Sequence, residues 1–241
     1  MHRFIVDDLP QTGLVTLPPD EAAHAARVLR LVPGDAVELI DGRGRVCGAT
    51  LDRVERGEVV ACLTGDMPSR ESSVRLTLYM GSPKAEKLEL ITQKLTEIGA
   101  ARVVPVIMER SVARGEESPN RMKRLDRIAR EAVKQCGRGT IPQLDPPTKW
   151  PAALELFSRH DLLLIPWEEA RAGRIADVHS ACPGARDIGL IIGPEGGISA
   201  REIGECAARG ARPVTLGPRI LRAETAAIVA SAEIMALWGD L

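Results

Sequence analysis

Two apolar runs in the C-terminal third of the chain each break into a glycine-bearing loop, and the residues at those breaks are of types that hold a small molecule. The first reads Leu190-Ile191-Ile192-Gly193-Pro194-Glu195-Gly196-Gly197-Ile198-Ser199. The second reads Val214-Thr215-Leu216-Gly217-Pro218-Arg219-Ile220-Leu221-Arg222-Ala223-Glu224-Thr225-Ala226. A buried strand that ends in glycine lets backbone approach a ligand. Gly193, Gly196 and Gly197 are free to take positive φ and carry no Cβ. The first loop is neither a Walker loop nor a dinucleotide fingerprint, and alone it reads equally well as a structural turn. The second loop tips the balance toward a ligand, because loops at consecutive strand ends converge at the carboxyl edge of a parallel sheet. Arg222 and Glu224 have two readings: a charge pair capping the last helix, or Arg222 holding a substrate oxygen with Glu224 beside it.

A second chemistry is carried by basic side chains. Lys123, Arg127, Arg130 and Lys134 recur at spacings of four, three and four, with Arg138 beyond them. Between Arg121 and Arg138 the acids are Asp126 and Glu131 alone, an imbalance that suits a phosphate backbone. Arg3, His24, Arg27 and Arg30 form another basic set near the N-terminus. Aromatic residues are only 2% of the chain, which argues against a base-stacking platform, so RNA binding here rests on charge and shape. The net charge of −1 gives no whole-protein field for nucleic acid. The five cysteines lack C-x-x-C spacing and the four histidines lie far apart, so free thiols and no metal site are expected. No apolar run reaches membrane-spanning length, and Met1-His2-Arg3-Phe4 shows no signal-peptide core; no membrane contact and a cytoplasmic location are the expectation.

The elements that must position these groups fall into two parts. Residues 1 to about 66 read as strands with one helix over Asp20 to Leu31, and a small barrel is expected. Asp66 to Ser73 is polar and aperiodic, which puts a boundary there and predicts domains over 1–70 and 74–241. Beyond it strands and helices alternate, the pattern of a parallel sheet covered by helices. Ser82-Pro83 and Ser118-Pro119 read as helix starts, and Leu88, Ile91, Leu95 and Ile98 form an apolar stripe that Gly99 ends. Ser199 and Glu202 form a capping box. The last helix, from about Glu224 to Trp238, is apolar enough to be buried or to meet a partner subunit.

On six stretches the chain resembles the RsmE family of bacterial 16S rRNA methyltransferases, of the SPOUT (α/β-knot) superfamily. They are His24 to Leu31 (H-x-x-R-V-L-R), Lys94 to Gly99 (K-x-x-E-x-G), Glu109-Arg110, Glu131 to Arg138 (E-A-x-x-Q-C-x-R), Ile192 to Gly197 (I-G-P-E-G-G) and Leu216 to Ala226 (L-G-x-R-I-L-R-x-E-T-A). The resemblance implies an α/β fold: a SPOUT α/β-knot domain with a parallel sheet and a C-terminal trefoil knot, after a small PUA-like β-barrel that binds RNA. It implies S-adenosylmethionine as cofactor, 16S rRNA in the 30S ribosomal subunit as partner, a homodimer, and methylation of N3 of a uridine near the 3′ end of that RNA. The implied cofactor residues are Leu164, Pro166, Ile192, Gly193, Pro194, Glu195, Gly196, Gly197, Leu216, Gly217, Ile220, Leu221 and Arg222. Arg222 and Glu224 are the catalytic candidates, and Arg3, His24, Arg27, Arg30, Arg110, Arg127, Arg130, Lys134 and Arg138 the RNA-binding ones. A SPOUT ribose 2′-O-methyltransferase, or a non-catalytic RNA-binding assembly factor on the same fold, are the rival readings.

Overall fold

The computed structural model describes residues 1–111, 118–170 and 173–241. They form two compact units, one of Met1–Glu71 with Arg130–Ile141 and one of Ser72–Ala129 with Pro142–Leu241.

The first unit contains β1 (His2–Ile5), β2 (Leu14–Thr16), α1 (Pro19–Ala23), β3 (Ala36–Ile40), β4 (Val46–Glu55) and β5 (Glu58–Asp66). Its five strands run in the order β1-β3-β4-β5-β2, parallel only between β1 and β3. Phe4, Leu17, Val37, Leu39, Leu51 and Val59 fill the core. The helix expected over Asp20 to Leu31 is shorter. After α1 the chain widens into a π-helical turn, His24–Val28, closed by the Leu29 N–H donating to the His24 carbonyl at 3.0 Å. Arg30 then takes φ 54°, a left-handed conformation that non-glycine residues rarely adopt. The wider turn keeps Ala22 and Ala25 buried, with Leu29 packed against the core, and leaves His24, Arg27 and Arg30 outward. Such turns recur at functional sites.

Glu71 closes this unit. One of its carboxylate oxygens accepts from the Arg138 Nε and Nη2 at 3.1 and 2.8 Å, the other from the Gly139 and Thr140 N–H groups at 2.9 and 3.0 Å. Glu38, nearly fully buried, likewise holds Arg3 at 2.5 Å and Arg70 at 3.3 Å. Burial works against its ionisation, yet the two guanidinium groups outweigh that and keep its pKa below the ordinary value.

The second unit contains β6 (Arg75–Gly81), α2 (Ala85–Ile98), β7 (Arg102–Ile107), α3 (Pro119–Cys136, whose last residues belong to the first unit), β8 (Gln143–Leu144) and β9 (Thr148–Lys149). It continues with α4 (Trp150–Phe157), β10 (Leu162–Pro166), α5 (Ile175–Ala181), β11 (Asp187–Ile192), α6 (Ala200–Ala207), β12 (Arg212–Val214) and α7 (Ala223–Trp238). The sheet order is β12-β10-β11-β6-β7-β8, all parallel, with β9 also on β7. Alternation along the strands sends Leu76, Leu78, Met80, Leu164, Leu190 and Ile192 to one face, where they meet α2, α5 and α7. Tyr79, Leu163, Ile165 and Ile191 point to the other, against α4 and α6. Continuous apolar strands covered on both faces are what a parallel sheet requires.

β10 lies between β12 and β11, so the chain leaves β11 for the sheet edge through α6 on one face and returns through α7 on the other. The all-parallel sheet with crossovers on both faces is the one expected of an α/β-knot domain. The helix start expected at Ser82-Pro83 lies two residues later. Ser82 prolongs the strand, its N–H donating to the Val106 carbonyl at 2.8 Å, and Lys84 becomes the first flanking residue of α2. No described helix is long and apolar enough to cross a membrane.

Removing the Glu71 carboxylate takes one acceptor from a guanidinium whose side chain is only 7% exposed and the acceptor of the Gly139 and Thr140 N–H groups. Glu71→Ala is therefore expected to lower unfolding stability by about 3 kcal/mol in a denaturant titration, and Glu71→Gln by less.

Candidate functional site

The parallel strands β10, β11 and β12 end side by side, and at their carboxyl ends lies a cavity of about 1060 Å³. The loop after β11 supplies Ile192, Gly193, Pro194, Glu195, Gly196 and Gly197 to its wall; the loop before α7 supplies Leu216, Gly217, Ile220, Leu221 and Arg222. Pro166 completes it from β10. Leu164 does not: two residues short of the strand end, its side chain is fully buried in the sheet core. The convergence inferred from the two glycine loops is what the sheet builds.

The first loop is fixed by close packing and one carboxylate. A Cβ on Gly81, at the end of β6, would lie 2.4 Å from the Pro194 nitrogen, so only glycine lets this loop cross that strand end. Of the three loop glycines only Gly197 takes positive φ, 76°, in a turn closed by its N–H to the Pro194 carbonyl. Gly193 and Gly196 instead give room, to Ile198 and Arg110 respectively. Ser199 and Glu202 form the expected capping box at the start of α6. Glu202, fully buried, also accepts the Glu109 N–H at 2.8 Å, tying the loop after β7 to the loop after β11. Arg110, exposed, donates to the Gly196 carbonyl at 3.3 Å.

The charges divide into free and engaged. Arg222, at the N-cap of α7, is exposed on the cavity wall and forms no ion pair among the described residues. Glu224 is largely buried, with Lys87 Nζ at 3.1 Å; the same ammonium lies 3.0 Å from Glu195. Burial opposes ionisation of Glu224, but its own backbone N–H, Lys87 and Arg222 prevail, and its pKa lies below the usual carboxylate value. Lys87 was not singled out from the sequence, nor were Trp167, Glu168, Arg174 and Asp177, which also line the cavity. For Lys87 a local signal exists. It is the third residue of α2, a position where the helix dipole favours an acid, so a cation there calls for partners.

The basic candidates separate in the same way. His24, Arg27, Arg30, Arg110 and Arg127 are exposed. Arg3 is bound to Glu38 and to the Lys134 and Gln135 carbonyls, Lys134 to Glu21 and Glu131, and Arg138 to Glu71. Arg130 pairs with Asp7 at 3.3 Å. The stripe at helical spacing is thus partly a set of internal ion pairs, which spacing alone does not reveal.

A family model described as RNA methyltransferase domain matches residues 70–235, and one described as RNA methyltransferase PUA domain matches residues 17–61. Ribosomal RNA small subunit methyltransferase E of Mycobacterium bovis is 34% identical over 234 residues, covering 94% of this chain and 88% of its own. The protein of that name from Bacillus subtilis is 28% identical over 97% of this chain and 96% of its own. The crystal structure of ribosomal RNA small subunit methyltransferase E from Neisseria gonorrhoeae, bound to S-adenosyl methionine, superposes with a TM-score of 0.88 at 31% identity, covering 100% and 99% of the two chains.

Glu202→Ala removes the acceptor for the Ser199 N–H at 3.0 Å and the Glu109 N–H at 2.8 Å. The variant is expected to lose about 2 kcal/mol of stability in chemical denaturation, the cost of buried donors left unpaired.

Proposed function

We propose, since the chain belongs to the ribosomal RNA small subunit methyltransferase E family, that it transfers a methyl group from S-adenosylmethionine to N3 of one uridine near the 3′ end of 16S rRNA in the small ribosomal subunit. The observation that carries this reading is the cavity itself, where two glycine loops meet at the ends of parallel strands with an unpaired arginine on the wall.

The lining suits that cofactor. Ile192, Leu216 and Ile220 offer apolar surface for a base, Glu195 and Asp177 offer carboxylates for hydroxyl or ammonium groups, and Arg174 offers a partner for a carboxylate. Pro166, the Gly193 to Gly197 loop and Leu216 to Leu221 would hold it. When bound, it supplies an electrophilic methyl group on a sulfonium. The rest of the work falls to the chain. Uracil N3 carries a proton at neutral pH, and its loss to solvent water leaves negative charge shared by N3, O2 and O4. Arg222, at the N-cap of α7 on the cavity wall, is a cation available for that charge. Glu224, held ionised by Lys87 with the charge of Arg222 nearby, is suited to fixing the charges at this end of the cavity rather than to taking the proton. Attack by nitrogen needs no covalent adduct to the base, so positioning dominates.

His24, Arg27, Arg30, Arg110 and Arg127, all exposed, form the RNA-binding set in this reading. The chain acts in the cytoplasm as a homodimer. Support for the dimer comes from α7, apolar almost throughout yet exposing Val229 (42%) beside Thr225 and Ala236. Val229→Glu is expected to shift the mass seen by light scattering from dimer to monomer.

Labelled S-adenosylmethionine with 30S subunits lacking the modification, followed by nucleoside mapping, tests the reaction. Label in N3-methyluridine near the 3′ end of 16S rRNA is expected; label on a ribose overturns the chemistry. Arg222→Ala is expected to lower kcat by roughly a hundredfold with cofactor affinity kept within about threefold. Near-wild-type turnover in that variant removes Arg222 from the mechanism.

A further inference from the structure

Three elements that the sequence keeps far apart meet at one ammonium group. Lys87 stands in the first turn of α2, Glu195 in the loop after β11, and Glu224 in the first turn of α7. Lys87 Nζ lies 3.0 Å from Glu195 Oε1 and 3.1 Å from Glu224 Oε2. All three side chains are mostly shielded, at 28%, 27% and 14% exposure, so the pairing is screened less than an open surface pair. Lys87 and Glu195 line the cavity, while Glu224 stands two residues beyond Arg222.

We propose that Lys87 is a positioning residue, whose ammonium ties the Gly193–Gly197 loop to the Arg222–Glu224 turn and so sets the width of the cofactor cradle. This rests on the reading of the cavity as the S-adenosylmethionine site. The physical case is one of charge balance. Two carboxylates on separate loops converge on one cation; without it they repel each other, and each loop is free to move outward. Among the described residues no other ion pair or side-chain hydrogen bond ties Glu195 to α2 or α7, so the link between the two halves of the cradle runs through Lys87. A lysine at this point of a helix opposes the dipole, and the two carboxylates are what offset that cost.

The sign of the pH effect separates this role from a general structural one. In the wild-type chain the ammonium helps to hold Glu224 ionised. In Lys87→Met, one of the groups that oppose the desolvation of Glu224 is gone, so its pKa rises and protonation on acidification relieves the repulsion. Isothermal titration with S-adenosylmethionine, from pH 5 to pH 8, is the test. Lys87→Met is expected to bind roughly fivefold to tenfold more weakly at pH 8 and to recover toward pH 5, where wild-type binding changes little over the range. Lys87→Arg is expected to restore binding to within about twofold of wild type. Glu195→Gln, which keeps the fold if Lys87→Met does not, is expected to weaken binding and to make a further Lys87→Met change cost less than it does alone. A Lys87→Met chain that binds within twofold of wild type at every pH overturns the role, as does a loss that is the same at pH 5 and pH 8. No binding by the wild-type chain overturns the reading of the cavity, and the positioning role with it.

Discussion

A peptide chain that leaves a buried parallel strand loses its ladder partners while still surrounded by protein, and its N–H groups must find others within a residue or two. The loop after β11 meets that constraint with one carboxylate. Glu202 takes the Ser199 N–H, the Ser199 hydroxyl and the Glu109 N–H from within the fold, at 0% exposure. Two loops that belong to different strands are thereby held in one arrangement. Gly81 adds the steric half of the same constraint, because Pro194 lies where any larger residue of β6 would place its Cβ. The cavity is a consequence: a loop fixed from behind by Glu202 and from below by Gly81 presents its other side as a firm wall.

Charge follows a similar division between structure and chemistry. The chain has 32 basic and 33 acidic side chains, so its use of charge must be local. In the first unit, Glu38, Glu71 and Glu21 draw Arg3, Arg70, Arg138 and Lys134 into internal pairs. His24, Arg27 and Arg30 stay outward on a turn whose π-helical geometry and left-handed Arg30 cost conformational energy. Backbone strain that exposes three basic groups, in a unit that buries others in pairs, is consistent with a surface kept for a polyanion. At the cavity the same split appears: Lys87 is engaged twice, and Arg222 is left free.

How far the sequence could be read depended on whether a feature was local. The capping box at Ser199, the stripe of α2 and the two glycine loops are written within a few residues, and periodicity or capping chemistry exposes them. Ser82 misled because its N-cap chemistry was outcompeted by a strand pairing with Val106 that no local rule contains. The segment from Asp20 looked like an α-helix because α and π turns have the same composition; the difference lies in which carbonyl Leu29 reaches. Leu164 was placed at the site by its neighbourhood, but it lies two residues before the end of β10, deep enough that its side chain packs in the core. Ion pairs such as Glu71 with Arg138 join residues far apart in the chain, and residue spacing carries no trace of them.

The thiols complete the chemical argument. Methylation of a pyrimidine carbon calls for a nucleophile that adds to the ring; methylation of a ring nitrogen does not, since the lone pair is already there once the proton has gone. Among the described residues no cysteine lines the cavity. Burial pushes the Cys47 thiol up to about 11 and the Cys206 thiol up to about 12, so neither supplies thiolate at neutral pH. With Glu224 held ionised by Lys87, the residues at hand are suited to fixing groups and stabilising charge rather than to forming bonds. Catalysis by such a site depends on how precisely two loops are held, and the contacts that hold them, Glu202 behind one and Lys87 between both, are therefore as much part of the proposed chemistry as Arg222.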